Sequence, residues 1–513
     1  MKTWNLFCQK LHNLAFKTVS VISIALFSIL SLSTLLVSFY AEEMDSQIMY
    51  SHFDPLWIHI PVIAVILVGI IFVQTGEDTF LRKLRRVLLP LSIGVLLCGG
   101  GLLLVFGRLT PAADSYSVYA IGEAFAEGNL AAIQPTGNTY LSFYPQQIGL
   151  IAYYELVIRL WKLLPISTPA YHVIKLLNIL LACGILYFQY RSVAVITASE
   201  KATVTYLLLA MGNLPLIFYT SFVYGEIPSF AFFSMGLYFL LAYIFRAEKS
   251  RYLILSAFSF MLSVMLRKNT LILIIAVLLA IFFHWLKTRK HSLAIYGVIV
   301  AVLSVCVLPT VQKGYELRAD NYLLPGVSAY SYFAMGMQES TRGNGWYNGF
   351  NFNTYLETGL DKELTDTISK EIISMRMEEF AENPGYAFIF YRDKLLSQWT
   401  DGSYACRQAI VSAFGNRSGL SASLFDGTLG KVFTEYCNIY QCLIYICVLI
   451  FLIRNRHLGK LPLYIGIIGI IGGFLFHLIW EANSRYILAY WLLMIPYAAM
   501  FLSPIHTSKE LRE

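Results

Sequence analysis

The chain has 513 residues, of which 57% are hydrophobic and only 13% charged, with a mean hydropathy of +0.61. That excludes an ordinary soluble globular protein, which carries fewer apolar and more charged side chains. The formal net charge of +7 calls for no nucleic-acid partner, because its excess cations fall in short loops between apolar runs, the pattern that orients membrane proteins.

A bilayer-crossing helix needs about 20 apolar residues. The expected spans are 18–40, 57–74, 87–107, 171–190, 202–221, 228–245, 252–266, 270–286, 292–310, 433–453, 461–479 and 486–503, twelve in all, with 252–266 the shortest. The first has a basic flank like a signal peptide. Its apolar part is too long for one and no small-residue cleavage site follows, so an uncleaved span is expected. Eight cysteines make no disulfide framework. Cys98, Cys183, Cys306, Cys437, Cys442 and Cys447 fall in or beside spans, Cys8 is near the N-terminus, and Cys406 stands in the large hydrophilic loop without a partner in view. No Cys/His cluster has zinc-ligand spacing.

Charge sets the orientation. Lys2, Lys10 and Lys17 place the N-terminus in the cytoplasm, the loop 41–55 has no Lys or Arg, and Arg82, Lys83, Arg85 and Arg86 return the chain to the inside. The stretch 108–149 is then outside. If the amphipathic segment 141–161 crossed the membrane, the basic loops 191–201, 246–251, 287–291 and 454–460 would all face outward. Laid along the outer surface, it leaves all four cytoplasmic, and both termini with them. A label applied from outside is then expected at Cys406 and at a cysteine replacing Asn138, but not at one replacing Ser199.

The polar stretch 108–149 carries the first candidate for chemistry. Asp114 stands seven residues past the end of the run 87–107. A lone loop acid is ordinarily just solvated. Here Tyr116, Tyr119, Ala120, Glu123, Phe125 and Ala126 follow with near-helical spacing, so Asp114 opens a helix lying on the membrane, and Gly128-Asn129 closes it. A second amphipathic segment, 140–161, begins with Phe143-Tyr144-Pro145-Gln146-Gln147. Glu226 occupies a short turn between spans, where the helix dipole alone would favour an acid. Arg267, Lys268 and Arg485 are cations on the outer side, against the orienting rule. Snorkelling explains such residues in general, and Glu481 with Arg485 at i, i+4 would form a helix-surface pair.

The external loop 311–432 has eleven Lys/Arg against fourteen Asp/Glu, so it is no basic nucleic-acid surface. It holds a Gly/aromatic patch at 342–350, whose Trp346, Tyr347 and Phe350 could stack on a sugar or simply form an interfacial belt. A helix over 361–382 ended by Pro384, and a second amphipathic stretch over 386–399, are expected beyond it.

A span, an acid at its outer end, two surface helices and a further acid at the turn holding Glu226 together resemble the GT-C glycosyltransferases. Protein mannosyltransferases and aminoarabinose transferases share this plan. The resemblance implies an all-α polytopic fold of about twelve transmembrane helices, with juxtamembrane helices in the first catalytic external loop and one large external loop. The parts are two N-terminal helices (1–86), a catalytic transmembrane core (87–310) with external loop 108–170, the large loop (311–432) and C-terminal helices (433–513). It implies a multi-pass cell-membrane enzyme that takes a sugar from a polyprenyl-phosphate donor on the extracytoplasmic face and transfers it, with inversion, to a cell-surface glycan, lipid or protein. By the same resemblance Asp114 is the base or a metal ligand. Glu226 is a second acid, single where the family commonly has a pair, and Asp114 with Glu226 would be the seat for Mg or Mn.

An acceptor hydroxyl needs a base, and a departing lipid phosphate needs a cation. Arg485 is the expected phosphate holder ahead of Arg267 and Lys268, since a guanidinium fork fits two phosphate oxygens. Tyr144, Gln146, Gln147, Trp346, Tyr347 and Glu481 are the candidate contacts to sugar or acceptor. Two other function classes fit: a non-catalytic scaffold, which would leave Asp114 replaceable, and a transporter or flippase of lipid-linked saccharides, which predicts mid-span charges and repeated halves. No repeat is visible, and Lys175 is the mild exception to an otherwise one-faced distribution of charge.

Overall fold

The computed structural model describes residues 2–42, 47–107, 109–135, 139–246, 248–410, 420–425, 427–503 and 505. Asn138, the expected outside label position, and Arg108 lie outside them. Among the described residues nine helices are long and apolar enough to cross a membrane. They are Leu6–Leu36, Leu56–Gln74, Asp78–Phe106, Tyr171–Thr197, Glu226–Phe245, Lys268–Thr288, His291–Ala319, Thr428–Asn455 and Leu461–Ile479. The other three predicted spans form shorter helices. Ser250–Leu266 has 17 residues. The run 202–221 breaks into Glu200–Met211 and Leu214–Tyr219. Gly212 and Asn213 end the first of these pieces, and Pro215, which tolerates only the first turn, starts the second. The run 486–503 yields a turn of 3₁₀-helix, Ser484–Ile487, then Leu488–Ala499.

Burial sorts the long helices. Of their apolar windows, 17% is buried for Leu56–Gln74 and for His291–Ala319, against 67% for Glu226–Phe245 and for Thr428–Asn455. The first two therefore turn most of their surface outward, as lipid-facing helices do, while the others run through the centre of the bundle. Gly473 lets the helix Leu461–Ile479 press on the ring of Tyr490; a Cβ there would collide with it. Such small-residue contacts bring helix backbones together where no water drives the packing.

The fold is not purely helical. The first helix ends at Leu36, inside the predicted span 18–40, and the chain forms an antiparallel hairpin, Val37–Ala41 with Met49–Phe53, in register Val37↔Phe53. Val-Ser-Phe-Tyr is a β-branched and aromatic run suited to a strand. Both strands also bond to the large loop: Phe39 N–H donates to Thr400 O at 3.4 Å and Met49 N–H to Arg342 O at 2.9 Å. Those partners come from more than 290 residues away, which is why local pattern favoured a longer helix.

The large loop is helical, with Ala329–Gly336, Phe350–Glu357, Lys362–Glu382, Pro384–Trp399 and Cys406–Ile410. Asp361 caps the long one, its carboxylate accepting from the N–H groups of Glu363 and Leu364. Cys406 is wholly buried, so the expectation that it takes an outside label is corrected: a hydrophilic loop can fold its cysteine inward.

Candidate functional site

The helix opened by the first candidate acid spans Ala113–Ala126. Its start is held by Ala112 N–H donating to Ser115 Oγ at 3.1 Å. Ala113, immediately before the acid, has φ of 48°, a left-handed conformation that costs an L-residue about 1–2 kcal/mol. Its end is a Schellman turn: Gly128 N–H bonds Phe125 O at 3.1 Å and Asn129 N–H bonds Ala124 O at 2.9 Å, with Gly128 at φ 87°. The second amphipathic segment is a short helix Tyr140–Phe143, a 3₁₀ turn Pro145–Gln147 and a helix Ile148–Lys162.

Asp114 is accessible to solvent, yet protein crowds it on most sides. Burial pushes its carboxyl above the usual carboxylate range, the Arg485 guanidinium pulls it back down, and the Glu226 charge pushes it further up. These three residues come from positions far apart in the chain and act on one another here.

Glu226 begins its helix and is buried. Arg267 pairs with its Oε1, and Arg485 Nε lies 3.8 Å from the same oxygen. The Arg485 guanidinium is enclosed by rings, 5.5 Å from Phe222, 5.6 Å from Tyr224 and 5.5 Å from Tyr486. A cavity beside this group is lined by Glu226, Ser229, Arg267, Asn269, Arg485 and Tyr490 among others.

The expected i, i+4 pairing of Glu481 with Arg485 needs a helix, and the helix has ended at Ile479. Arg485 therefore turns toward Glu226, while Glu481 accepts from the Tyr486 hydroxyl at 3.4 Å. Burial pushes the Glu481 carboxyl up to about 7, and Arg485 opposes that shift.

Tyr144 stands within electrostatic reach of Asp114, Tyr347, Glu481 and Tyr224, and burial raises its phenol. Tyr347 is likewise raised by burial, with Glu481 and Asp114 beside it. Gln147 donates to the Tyr224 hydroxyl at 2.6 Å, and Gln146 is half-buried. Trp346 is a different case. It is 2% exposed, its indole N–H donates to Ser397 Oγ at 2.8 Å, and it packs inside the loop instead of offering a face. Lys268 is exposed, in the 3₁₀ turn Lys268–Thr270. Lys175, the mild exception near a span start, is buried with its ammonium on the carbonyl of Leu109, just past the helix Asp78–Phe106.

Several residues with no sequence signal position this group. Asp401 accepts from Ser403 Oγ and from Ser484 Oγ, each at 2.6 Å, and so ties the large loop to the residue before Arg485. Ala482 N–H donates to Gly345 O at 2.7 Å, which sets the patch around Tyr347 beside Glu481. Tyr140 and Tyr224 place their hydroxyls 3.3 Å apart. The one cue in the sequence was polar density in the short turn 481–485.

Glu226 carries two guanidiniums, so a divalent ion shared with Asp114 would sit against two positive charges. The pair does not fit a metal. Among the described residues the group able to hold a metal ion is elsewhere: Asp54, His59 and Glu435, with one donor atom of each within 4.8 Å of the others. Compared with known proteins, the chain matches no family model and no curated protein.

Proposed function

We propose that the protein is an integral membrane glycosyltransferase of GT-C type. It takes a sugar from a polyprenyl-phosphate donor and places it on an extracytoplasmic acceptor, a glycan, lipid or protein. The observation that carries the reading is the accessible but crowded Asp114 carboxylate, within the field of a ring-enclosed Arg485.

In this reading Asp114 accepts the proton of the acceptor hydroxyl as its oxygen bonds the anomeric carbon. The bond from that carbon to the phosphate oxygen breaks, and the lipid phosphate leaves with the electron pair. One displacement inverts the anomeric centre. A carboxylate held above its ordinary pKa is a stronger base than a free one. Arg485 stays charged against the apolar surround and meets the developing charge on the phosphate. Arg267 and Glu226 hold Arg485 in place by sharing one buried charge balance. Tyr144, Tyr347 and Glu481 line the acceptor side.

The test is sugar transfer by purified protein given a polyprenyl-phosphate sugar and candidate acceptors, with Asp114→Asn beside the wild type. Transfer by wild type and its loss in the variant is the expected result. Movement of lipid-linked saccharide across reconstituted vesicles, without transfer, would replace the enzyme by a transporter.

A further inference from the structure

The proposed reaction uses neither the hairpin 37–53 nor the polar cluster at its root. Asp54 follows the second strand, His59 lies in the first turn of the helix Leu56–Gln74, and Glu435 belongs to the distant helix Thr428–Asn455. His59 Nε2 is 2.7 Å from Glu435 Oε1 and 3.9 Å from Asp54 Oδ1. His59 is fully buried and Asp54 nearly so, whereas the Glu435 side chain is 41% exposed.

Two carboxylates here face one imidazole. Among the described residues neither carboxylate is paired with a lysine or arginine. Two like charges this close at the edge of an apolar bundle repel, and a cation between them relieves that repulsion. Ser38 Oγ donates to Asp54 Oδ2 at 2.8 Å, which leaves Oδ1 turned to His59. That is how an outer hydrogen bond aims a metal-binding carboxylate.

We propose that Asp54, His59 and Glu435 bind a divalent transition-metal ion of the zinc class. One nitrogen and two oxygen donors, with water in a fourth position, suit such an ion. Mg and Ca prefer oxygen alone. Ligands of a tetrahedral zinc ion stand roughly 3.3 Å apart, so Glu435, the most exposed of the three, moves outward from His59 on binding.

The site lies at the head of a chain of backbone hydrogen bonds. Asp54 N–H donates to Leu36 O at 3.1 Å and closes the hairpin, and Met49 N–H donates to Arg342 O at 2.9 Å. Gly345, in the same patch, holds Ala482 beside Glu481. The ion therefore fastens the two N-terminal helices and the hairpin to the late helix, and braces the loop next to the site of Asp114. This gives the first 86 residues a role that the reaction itself does not.

The measurement uses the full chain in detergent, stripped with a chelator, loaded with zinc chloride and dialysed. Metal content is read by mass spectrometry and the unfolding midpoint by thermal scan. One zinc per chain and a raised midpoint are expected, with no stoichiometric magnesium under the same treatment. His59→Gln should lose the zinc and the midpoint response, and Glu435→Gln should bind at least about tenfold more weakly. Glu435 is partly exposed, so its variant carries the test should His59→Gln fail to fold. Zinc held equally by both variants, or no zinc in the wild type, overturns the proposal.

Discussion

Two groups of acids in this protein balance their charge in opposite ways. Around Asp114 and Glu226 the chain supplies its own cations, Arg267 and Arg485, both engaged with one Glu226 oxygen. Around Asp54 and Glu435 it supplies a histidine. A carboxylate already held by guanidiniums has no reason to take a metal, and the nearby Arg485 is suited to an anionic ligand. Two carboxylates joined only through an imidazole attract a cation instead. Residue types alone do not separate the two groups, since each has two acids; the partners do.

The contrast breaks most readily at Asp114. Asp114→Asn keeps the shape and removes the proposed base, and on the proposed function sugar transfer should fall ~10²–10⁴-fold with the protein still inserted. The pH profile sharpens this. The carboxyl is held above its usual range and the ionised form is the base, so wild-type activity should decline on acidification at a pH higher than an ordinary aspartate would give. Arg485→Ala removes a charge that lowers the Asp114 pKa, so the acid limb of the residual activity should move to still higher pH while donor binding weakens sharply. Arg485→Lys should already lose much of the activity. An unshifted limb in Arg485→Ala would separate the two residues.

Glu226→Gln asks whether the chain's own compensation matters. It leaves two guanidiniums facing each other, and breaking a buried pair from one side costs about 3–5 kcal/mol. A large drop in the thermal midpoint is expected, together with impaired turnover. An unchanged midpoint would mean that water, not Glu226, balances the arginines.

Glu481 tests the same idea by titration. Its folded carboxyl is raised to about 7 from 4.5, so the folded state holds the proton more tightly than the unfolded chain. Stability is then greatest below the unfolded pKa and is lost as pH rises through about 7. Thermal midpoints at about pH 5 and pH 8 should fall apart for the wild type and converge for Glu481→Gln. Equal pH dependence in both would place the shift elsewhere. The smallest effect is expected at Gly128, whose φ of 87° caps the helix that presents Asp114. Gly128→Ala should cost ~1 kcal/mol, read as a small midpoint shift with donor affinity unchanged.

Much of this was determined by sequence alone. Apolar runs of sufficient length yielded the long helices, because a backbone in lipid must satisfy its own hydrogen bonds. Gly128-Asn129, Asp361 and Pro384 marked helix ends for local reasons that hold in any fold. The acid opening the helix Ala113–Ala126 was legible for the same reason. Tertiary structure decided the rest. It turned residues 37–41 into a strand by pairing them with 49–53, and buried Cys406 and Trp346. It also moved Arg485 from the expected Glu481 to Glu226, and brought Asp54 and His59 to Glu435 across more than 370 residues. Those pairings depend on which helices touch. Helices pack by shape and small residues, and no local periodicity encodes which distant charge will share a given turn.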